Sequence, residues 1–146
     1  MDSEEEGKRV SEQLLKAARG ERFAATLGIT CLDAGPGHAK ATMTINEGML
    51  NLFGMAHGGA IFSLMDDVFQ LACNSRGLSA FALNVSSTFI RGAEVGDCLT
   101  AEAREVALTT RTGTYELRVT DGMGRLVAVA QAIAYRKKEP PPFLNG

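Results

Sequence analysis

The chain has 146 residues, 45% of them apolar, and its 15 Lys and Arg against 17 Asp and Glu give a formal net charge of -2. This balance excludes a protein that binds nucleic acid chiefly through positive charge, and the length is that of a single domain with a substantial core. No apolar run reaches the roughly 18 residues of a membrane span and the acidic start is unlike a signal peptide, so we expect a cytoplasmic protein.

The first part of the chain predicts a short helix followed by a β-hairpin. Residues 10–20 place apolar side chains on one stripe of a helix, with Ser11 as its expected cap. Residues 27–33 and 38–45 are predicted strands, because the second alternates apolar or small side chains with polar ones. Residues 46–56 follow neither period and predict an ordered loop.

The rest of the chain predicts one long helix and then a series of strands. Residues 57–74 are apolar around most of a helical circumference, which is typical of a buried helix. The predicted strands after it are 81–90, 98–108, 113–120 and 126–135. Successive long strands favour an antiparallel meander, so we expect an α+β domain whose twisted, mostly antiparallel sheet wraps one central helix.

The predicted organisation is one domain with short additions at both ends. Residues 1–22 form an acidic lead and the N-terminal helix, 23–136 form the domain, and 137–146 form a flexible, proline-rich tail. The three cysteines lack the spacing of metal ligands, so we expect buried thiols and no metal.

The start of the long helix carries a glycine pair, Gly58 and Gly59, directly after His57. Backbone N–H groups at a helix N-terminus are unpaired and partly positive, so small residues there allow a ligand oxygen to approach the main chain. This pattern is typical of an oxyanion hole. It is equally consistent with glycines that serve only close packing of helix against sheet, and with a histidine that only bonds the backbone.

Two adjacent acids, Asp66 and Asp67, interrupt the most apolar helix of the chain. A buried carboxylate needs a partner, a proton or a cavity, and burial also raises the pKa of an acid toward the range useful for base catalysis. Because adjacent helical residues point about 100° apart, the two acids cannot face the same place. The alternative is that both lie on a solvated or subunit-facing edge.

A site shared by His57 and Asp66 requires two copies of the chain. Nine residues of helix separate them by about 13.5 Å and roughly 900° of rotation, which puts them on opposite sides. Two such residues can act together only if one of them comes from a second subunit, as in a symmetric dimer with two equivalent sites.

The motif of Asn51, His57-Gly58-Gly59 and Asp66, followed by Phe89-Ile90-Arg91-Gly92, resembles the hotdog-fold acyl-CoA thioesterases of the PaaI type. The resemblance runs from about residue 23 to residue 135. It implies hydrolysis of acyl-CoA thioesters, with an aryl or medium-chain acyl group, by a homodimer that forms a homotetramer. It implies no nucleic acid, no membrane and no cofactor.

The resemblance also implies a role for each matching residue. The Gly58 N–H would polarise the thioester carbonyl, and His57 and Asn51 would line the same pocket. Asp66 from the neighbouring subunit would be either the general base for water or the nucleophile that forms an anhydride. Further residues expected around the substrate are Gly59, Leu52, Phe53, Met65, Phe69, Ala82, Asn84 and Arg91.

Three departures from the family pattern are visible. The Ser or Thr that often stands near the catalytic carboxylate is matched by Ala82, with Asn84 close by, and the usual Pro after the strand's Arg is Gly92. Asp67 stands where a small neutral residue is common, so its charge is expected to raise the pKa of Asp66. The alternatives are an acyl-CoA binding or sensor module and a hotdog hydratase or dehydratase, both within reach of the same fold.

Overall fold

The computed structural model describes residues 2–144, which form an α+β domain. The helices and strands of these residues are α1 (Ser3–Arg19), α2 (Arg22–Leu27), β1 (Thr30–Gly35), β2 (His38–Thr44), α3 (Gly58–Cys73), β3 (Ala80–Phe89), β4 (Cys98–Leu108), β5 (Thr112–Thr120) and β6 (Leu126–Arg136). One-turn 3-10 helices lie at Glu47–Met49 and Pro142–Leu144. Among the described helices, none combines the length and the apolar character that crossing a membrane requires.

The strands form one antiparallel sheet in the order β1-β2-β4-β5-β6-β3. The meander prediction is confirmed for β4, β5 and β6, but it is wrong for β3, which pairs with β6 and lies at the sheet edge. Asn74, at the end of α3, fixes the start of β3, because its side chain bonds both the N–H and the carbonyl of Ala80. The alternation of apolar and polar side chains along a strand indicates which face of the strand is buried, but it does not indicate which other strand is its neighbour in the sheet.

Helix α3 forms the centre of the core and the sheet wraps around it. Its residues Leu64, Met65 and Val68 have no exposed surface, and the ring of Phe69 contacts that of Tyr115 with 5.6 Å between centroids. The facing strands carry small, fully buried alanines that let the sheet approach the helix: Ala41, Ala101, Ala103, Ala128, Ala132 and Ala134. The predicted α+β architecture with one central helix is thereby confirmed.

Helix α1 begins earlier than predicted, at Ser3 and not near Val10. Asp2 caps it by accepting the Glu5 N–H at 2.8 Å, and acidic side chains in the first turn interact favourably with the helix dipole. Ser11 lies in the interior of the helix, where its hydroxyl donates to the Gly7 carbonyl at 3.0 Å. The apolar stripe marks only the half of the helix that packs on the domain.

The segment after β6, which the sequence predicts to be a flexible tail from residue 137, packs against the domain as far as residue 144. Lys137 N–H donates to the Ser79 carbonyl at 2.8 Å, and Ser79 N–H donates to the Glu139 carbonyl at 2.9 Å. Pro141 is buried, and Phe143 packs against the core. Prolines stiffen this segment, and two apolar side chains hold it against the domain. The last two residues of the predicted tail lie outside the described residues.

Candidate active site

Asn51 builds the loop that precedes α3. Its Oδ1 accepts the N–H groups of Phe53 at 2.8 Å and Met55 at 3.2 Å, and its own N–H donates to the Met55 carbonyl at 2.7 Å. These bonds fold residues 51–55 into a tight turn, as asparagine often does. Within residues 2–144 the side-chain NH2 of Asn51 has no acceptor, so it can donate to a bound molecule.

His57 is the N-cap of α3. Its Nδ1 accepts the Gly59 N–H at 2.9 Å, and its backbone N–H donates to the Met49 carbonyl at 2.7 Å. An imidazole that accepts at Nδ1 is neutral and carries its proton on Nε2. The capping role that the sequence left open is therefore observed, and it leaves Nε2–H as a second donor at this helix end.

The two glycines at the start of α3 differ in how much space a side chain would have. A Cβ at Gly59 would lie 3.1 Å from Nδ1 of His57, so a side chain there would disturb the cap. A Cβ at Gly58 would lie 3.5 Å from the Phe89 ring, an ordinary contact. In the described part of the chain, the Gly58 N–H makes no hydrogen bond. It is the donor that remains available at the positive end of the helix.

An open pocket of about 400 Å³ lies beside these donors. It is lined by Leu50, Asn51, Leu52, Phe53 and His57. Leu52 and Phe53 project from the loop, with exposed fractions of 101% and 88%. The structure thus brings together four of the residues that the sequence placed in the site, next to Gly58 and Gly59.

Asp66 lies in the middle of α3, half-buried, and does not border this pocket. Burial raises the pKa of its carboxyl, and the negative charge of Glu21 raises it further. Within one chain, eight helical residues separate Asp66 from Gly58 by about 12 Å along the axis. The acid and the backbone donor therefore do not meet in one subunit.

Asp67 and Glu21 form a carboxyl pair beside Asp66. Burial, a hydrogen bond with Glu21 and the charges of Glu21 and Asp66 raise the pKa of Asp67 to about 7. The charges of Asp66 and Asp67 act on each other, and Glu21 is a third acid that raises the pKa of both carboxyls. Glu21, which also accepts from Gln70 Nε2 at 2.5 Å, is 45 positions before Asp66, and no local pattern indicated it.

Of the remaining residues predicted to surround the substrate, some are buried and others are exposed. Met65 and Phe69 are 0% and 1% exposed, so the expectation that they line an acyl pocket is wrong for the structure of the single chain. Ala82 and Asn84 are exposed on either side of an irregularity in β3, and Arg91 is exposed just beyond that strand.

Gly92 lies against the side chain of Met55. A Cβ at Gly92 would overlap the Met55 methyl group, so a larger residue there would displace the end of this flexible side chain. The Ala56 N–H also donates to the Ala93 carbonyl at 2.8 Å. Together these contacts join the loop before α3 to the segment after β3.

A single antiparallel sheet wrapped around one central helix defines a hotdog-fold protein. The sequence profile of the Thioesterase superfamily matches residues 53–128. The acyl-coenzyme A thioesterase PaaI of Escherichia coli is 37% identical over 113 residues, which cover 77% of this chain and 81% of that relative. The chain belongs to the thioesterase superfamily.

Solved structures agree with this assignment. The E. coli PaaI protein superposes with a TM-score of 0.88 at 31% identity, covering 92% of this chain and 97% of that one. A Streptococcus mutans protein solved with bound acetyl CoA gives a TM-score of 0.74 at 27% identity, covering 77% of this chain and 91% of that one. The expected hotdog fold and the resemblance to PaaI are confirmed.

Proposed function

We propose that this protein hydrolyses acyl-CoA thioesters as a homodimer, with Asp66 of one subunit acting beside Gly58 of the other. The observation that carries the proposal is the unpaired Gly58 N–H next to the His57 cap, at the start of a buried helix. The names of two similar proteins, an acyl-coenzyme A thioesterase and a protein solved with bound acetyl CoA, support acyl-CoA as the substrate class.

The proposed reaction uses the hydrogen-bond donors at the start of α3 in one subunit and the Asp66 carboxyl of the other. The Gly58 N–H, and the Nε2–H of His57, stabilise the negative charge that develops on the thioester oxygen. Asp66 either takes a proton from the attacking water or attacks the carbonyl carbon to form an anhydride that water then cleaves. In both routes the carbon–sulfur bond breaks, CoA leaves as the thiolate and takes up a proton, and the free acid remains.

The edge strand β3 supports the two-subunit site. Ten residues long and at the edge of the sheet, it exposes Phe81, Leu83 and Phe89 by 56%, 63% and 49%. Unprotected apolar edges of this length normally pair with another strand. Two copies of one strand related by a two-fold axis pair antiparallel, so the end of one β3 meets the start of the other.

This pairing would bring the required groups together. Gly58 lies beside Phe89 at the end of β3, whereas the start of β3 is bonded to Asn74 at the far end of α3. In the dimer, the helix start of one subunit would therefore approach the partner's α3, which carries Asp66 at its middle. A homotetramer would be a pair of such dimers.

Basic side chains near the site would bind the phosphates of CoA. Arg91 is exposed directly after β3, and a guanidinium is well suited to phosphate oxygens. Arg136, in contrast, donates to the Thr109 carbonyl at 2.6 Å, and Lys137 lies over the Phe81 ring. We therefore assign the phosphate contact to Arg91. We also propose that the protein meets acyl-CoA in the cytoplasm.

A thiol-release assay tests the proposed function. Purified protein is given acetyl-, octanoyl- and phenylacetyl-CoA, and CoA is measured with a thiol reagent against a substrate-free blank, because Cys98 is exposed. We expect CoA release with at least one substrate, and a loss of about 10² or more in kcat for Asp66→Asn. Tight binding of all three without CoA release would contradict the proposal and favour a sensor module, and hydration of crotonyl-CoA without CoA release would favour a hydratase.

A further inference from the structure

Glu21 lies between α1 and α2, and its backbone is fixed on both sides. Its N–H donates to the Ala18 carbonyl at 3.2 Å, and its carbonyl accepts the Ala25 N–H at 3.2 Å. Although Glu21 is the N-cap of α2, its side chain makes no capping hydrogen bond there. The half-buried carboxyl is therefore available to another element.

Helix α3 is the element that the Glu21 carboxyl contacts. Gln70 Nε2 donates to Oε2 of Glu21 at 2.5 Å, and Asp67 shares a hydrogen bond with the same carboxyl. Gln70 follows Asp67 by three residues and Asp66 by four, so it lies about one helical turn from each acid. Contacts with Asp67 and Gln70 thus hold the Glu21 carboxyl close to Asp66.

The pair of Glu21 and Asp67 contains a proton. A hydrogen bond between two carboxyl groups requires that one of them donates, and the raised pKa of Asp67, about 7, assigns the proton to Asp67. The negative charge of the pair is then on Glu21. Burial raises the pKa of Asp66, and this charge raises it further.

Three other ionisable groups lie around these acids. Burial and the charge of Asp66 raise the pKa of Cys73 on α3 to about 12. Burial also raises the pKa of Cys31 on β1, whereas the charge of Arg19 on α1 lowers it. Both thiols are neutral below pH 8, and in the described part of the chain no cation forms an ion pair with Asp66. The charge beside Asp66 is therefore set by carboxyl groups.

We propose that Glu21 is a positioning residue for the reaction: held on α3 by Gln70 and Asp67, its carboxylate keeps a negative charge beside Asp66 and makes that acid a stronger base. The inference rests on the proposed function and adds to it a residue that acts only through Asp66. A carboxylate whose charged form is disfavoured takes a proton from water more readily. In the anhydride route the same charge makes Asp66 a stronger nucleophile.

The test compares two variants that differ only at Glu21. Asp67→Asn keeps the charge of Glu21, whereas Glu21→Gln combined with Asp67→Asn removes it and leaves no acid of the pair to carry it instead. CoA release is measured from pH 5 to 9 with the substrate that the wild type hydrolyses fastest. We expect the double variant to raise the ratio of kcat/KM at pH 5 to that at pH 8 by about threefold or more, because Asp66 ionises at a lower pH and is a weaker base. His57 and Arg91 of the second subunit are the same in both variants, so their charges do not affect the comparison.

A purely structural role of Glu21 predicts a different result. The double variant would then lower kcat/KM by the same factor at every pH, and this outcome would overturn the inference. Glu116→Gln removes an exposed carboxylate on β5 and should leave the pH profile of the wild type unchanged. If the double variant does not fold, Gln70→Leu, which releases the Glu21 carboxyl, decides: we expect a higher ratio than in the wild type, and an unchanged ratio would overturn the inference.

Titration of the protein without substrate separates this inference from the proposed function. Carbon-13 NMR of labelled aspartate follows the Asp66 carboxyl, and Asp66→Asn identifies its signal. We expect its titration midpoint to lie at a lower pH in the double variant than in Asp67→Asn, and equal midpoints would overturn the inference. Failure of the proposed function is a separate result, because the wild-type protein would then release no CoA from any substrate.

Discussion

The Gly59 N–H donates to Nδ1 of His57 over 2.9 Å, and this bond leaves one of the two glycine N–H groups at the start of α3 free. One donor is used by the cap, whereas the Gly58 N–H has no acceptor within residues 2–144. The cap also fixes the ring so that its Nε2–H points away from the helix backbone. A site whose key donor belongs to the main chain can be tested by substitutions that change that single N–H.

Gly58→Pro removes the N–H while preserving the helix start. Proline is favoured at the first helical position, and His57 already has the extended backbone that a residue before proline requires, with φ -64 and ψ 136. Loss of one oxyanion donor typically costs about 10² to 10³ in kcat. We therefore expect a fall of that size in CoA release, with an unchanged circular dichroism spectrum.

Gly58→Ala is the matched control, since it adds a Cβ but keeps the N–H. That Cβ would lie 3.5 Å from the Phe89 ring, so we expect less than about a tenfold loss of kcat. Equal losses in the Ala and Pro variants would mean that crowding, and not the missing donor, controls activity. The oxyanion assignment would then be wrong.

Mixing two inactive variants tests whether the site is shared between subunits. When Asp66→Asn and Gly58→Pro chains are co-expressed, a mixed dimer contains one site with both defects and one intact site. Random pairing should restore about a quarter of the wild-type sites. Purification through a different tag on each chain confirms that mixed dimers are present, and mixed dimers without CoA release would contradict a shared site.

The sequence predicted the parts of this protein that depend on local patterns. The apolar circumference of residues 57–74 indicated α3, and its observed range, Gly58–Cys73, agrees within one residue at each end. Helix geometry alone separated His57 from Asp66. The motif around Asn51 and His57 indicated a family that the comparisons confirm.

The parts that the sequence did not predict depend on contacts between distant segments. Glu21 acts on Asp66 and Asp67 although 45 positions separate it from the first of them, and no pattern in a short polar linker indicates this. The place of β3 beside β6 depends on pairing with a strand much later in the chain, and the start of β3 is held by Asn74 at the end of α3. Met65 and Phe69 are suitable in type for a pocket, but the way the sheet wraps the helix buries them.

The exposed edge of β3 predicts how the dimer can be weakened. Leu83, 63% exposed near the middle of the strand, would lie close to its symmetry copy across a two-fold axis. Leu83→Glu places like charges there and removes apolar surface, so we expect the dimer to dissociate at micromolar concentration in sedimentation velocity. CoA release should fall with the fraction of dimer.

Met123→Glu is the control for this experiment, because Met123 is 78% exposed and lies in the turn between β5 and β6. It should leave sedimentation and activity unchanged. A fully dimeric Leu83→Glu protein would argue that another surface forms the interface.

The carboxyl pair of Asp67 and Glu21 predicts a pH-dependent stability. The pKa of Asp67 is raised from its ordinary value of 3.8 to about 7, so between these values the folded state holds a proton that the unfolded state has lost. Stability must then fall as the pH rises through this window and level off above it. Asp67→Asn carries no titrating proton, and its amide can donate to Glu21. We expect the variant to be as stable as the wild type near pH 4 and more stable at pH 8.

Urea unfolding of both proteins at fixed concentration, between pH 4 and 8, measures this difference. Glu116→Gln is the matched control, because Glu116 is an exposed carboxylate on β5 with no partner in the described residues, and it should leave the pH dependence of the wild type unchanged. A difference between Asp67→Asn and the wild type that stays constant from pH 4 to 8 would show that the proton is not held at Asp67. A difference that grows with pH would locate it in this pair, because burial beside Glu21 is what disfavours the charged form.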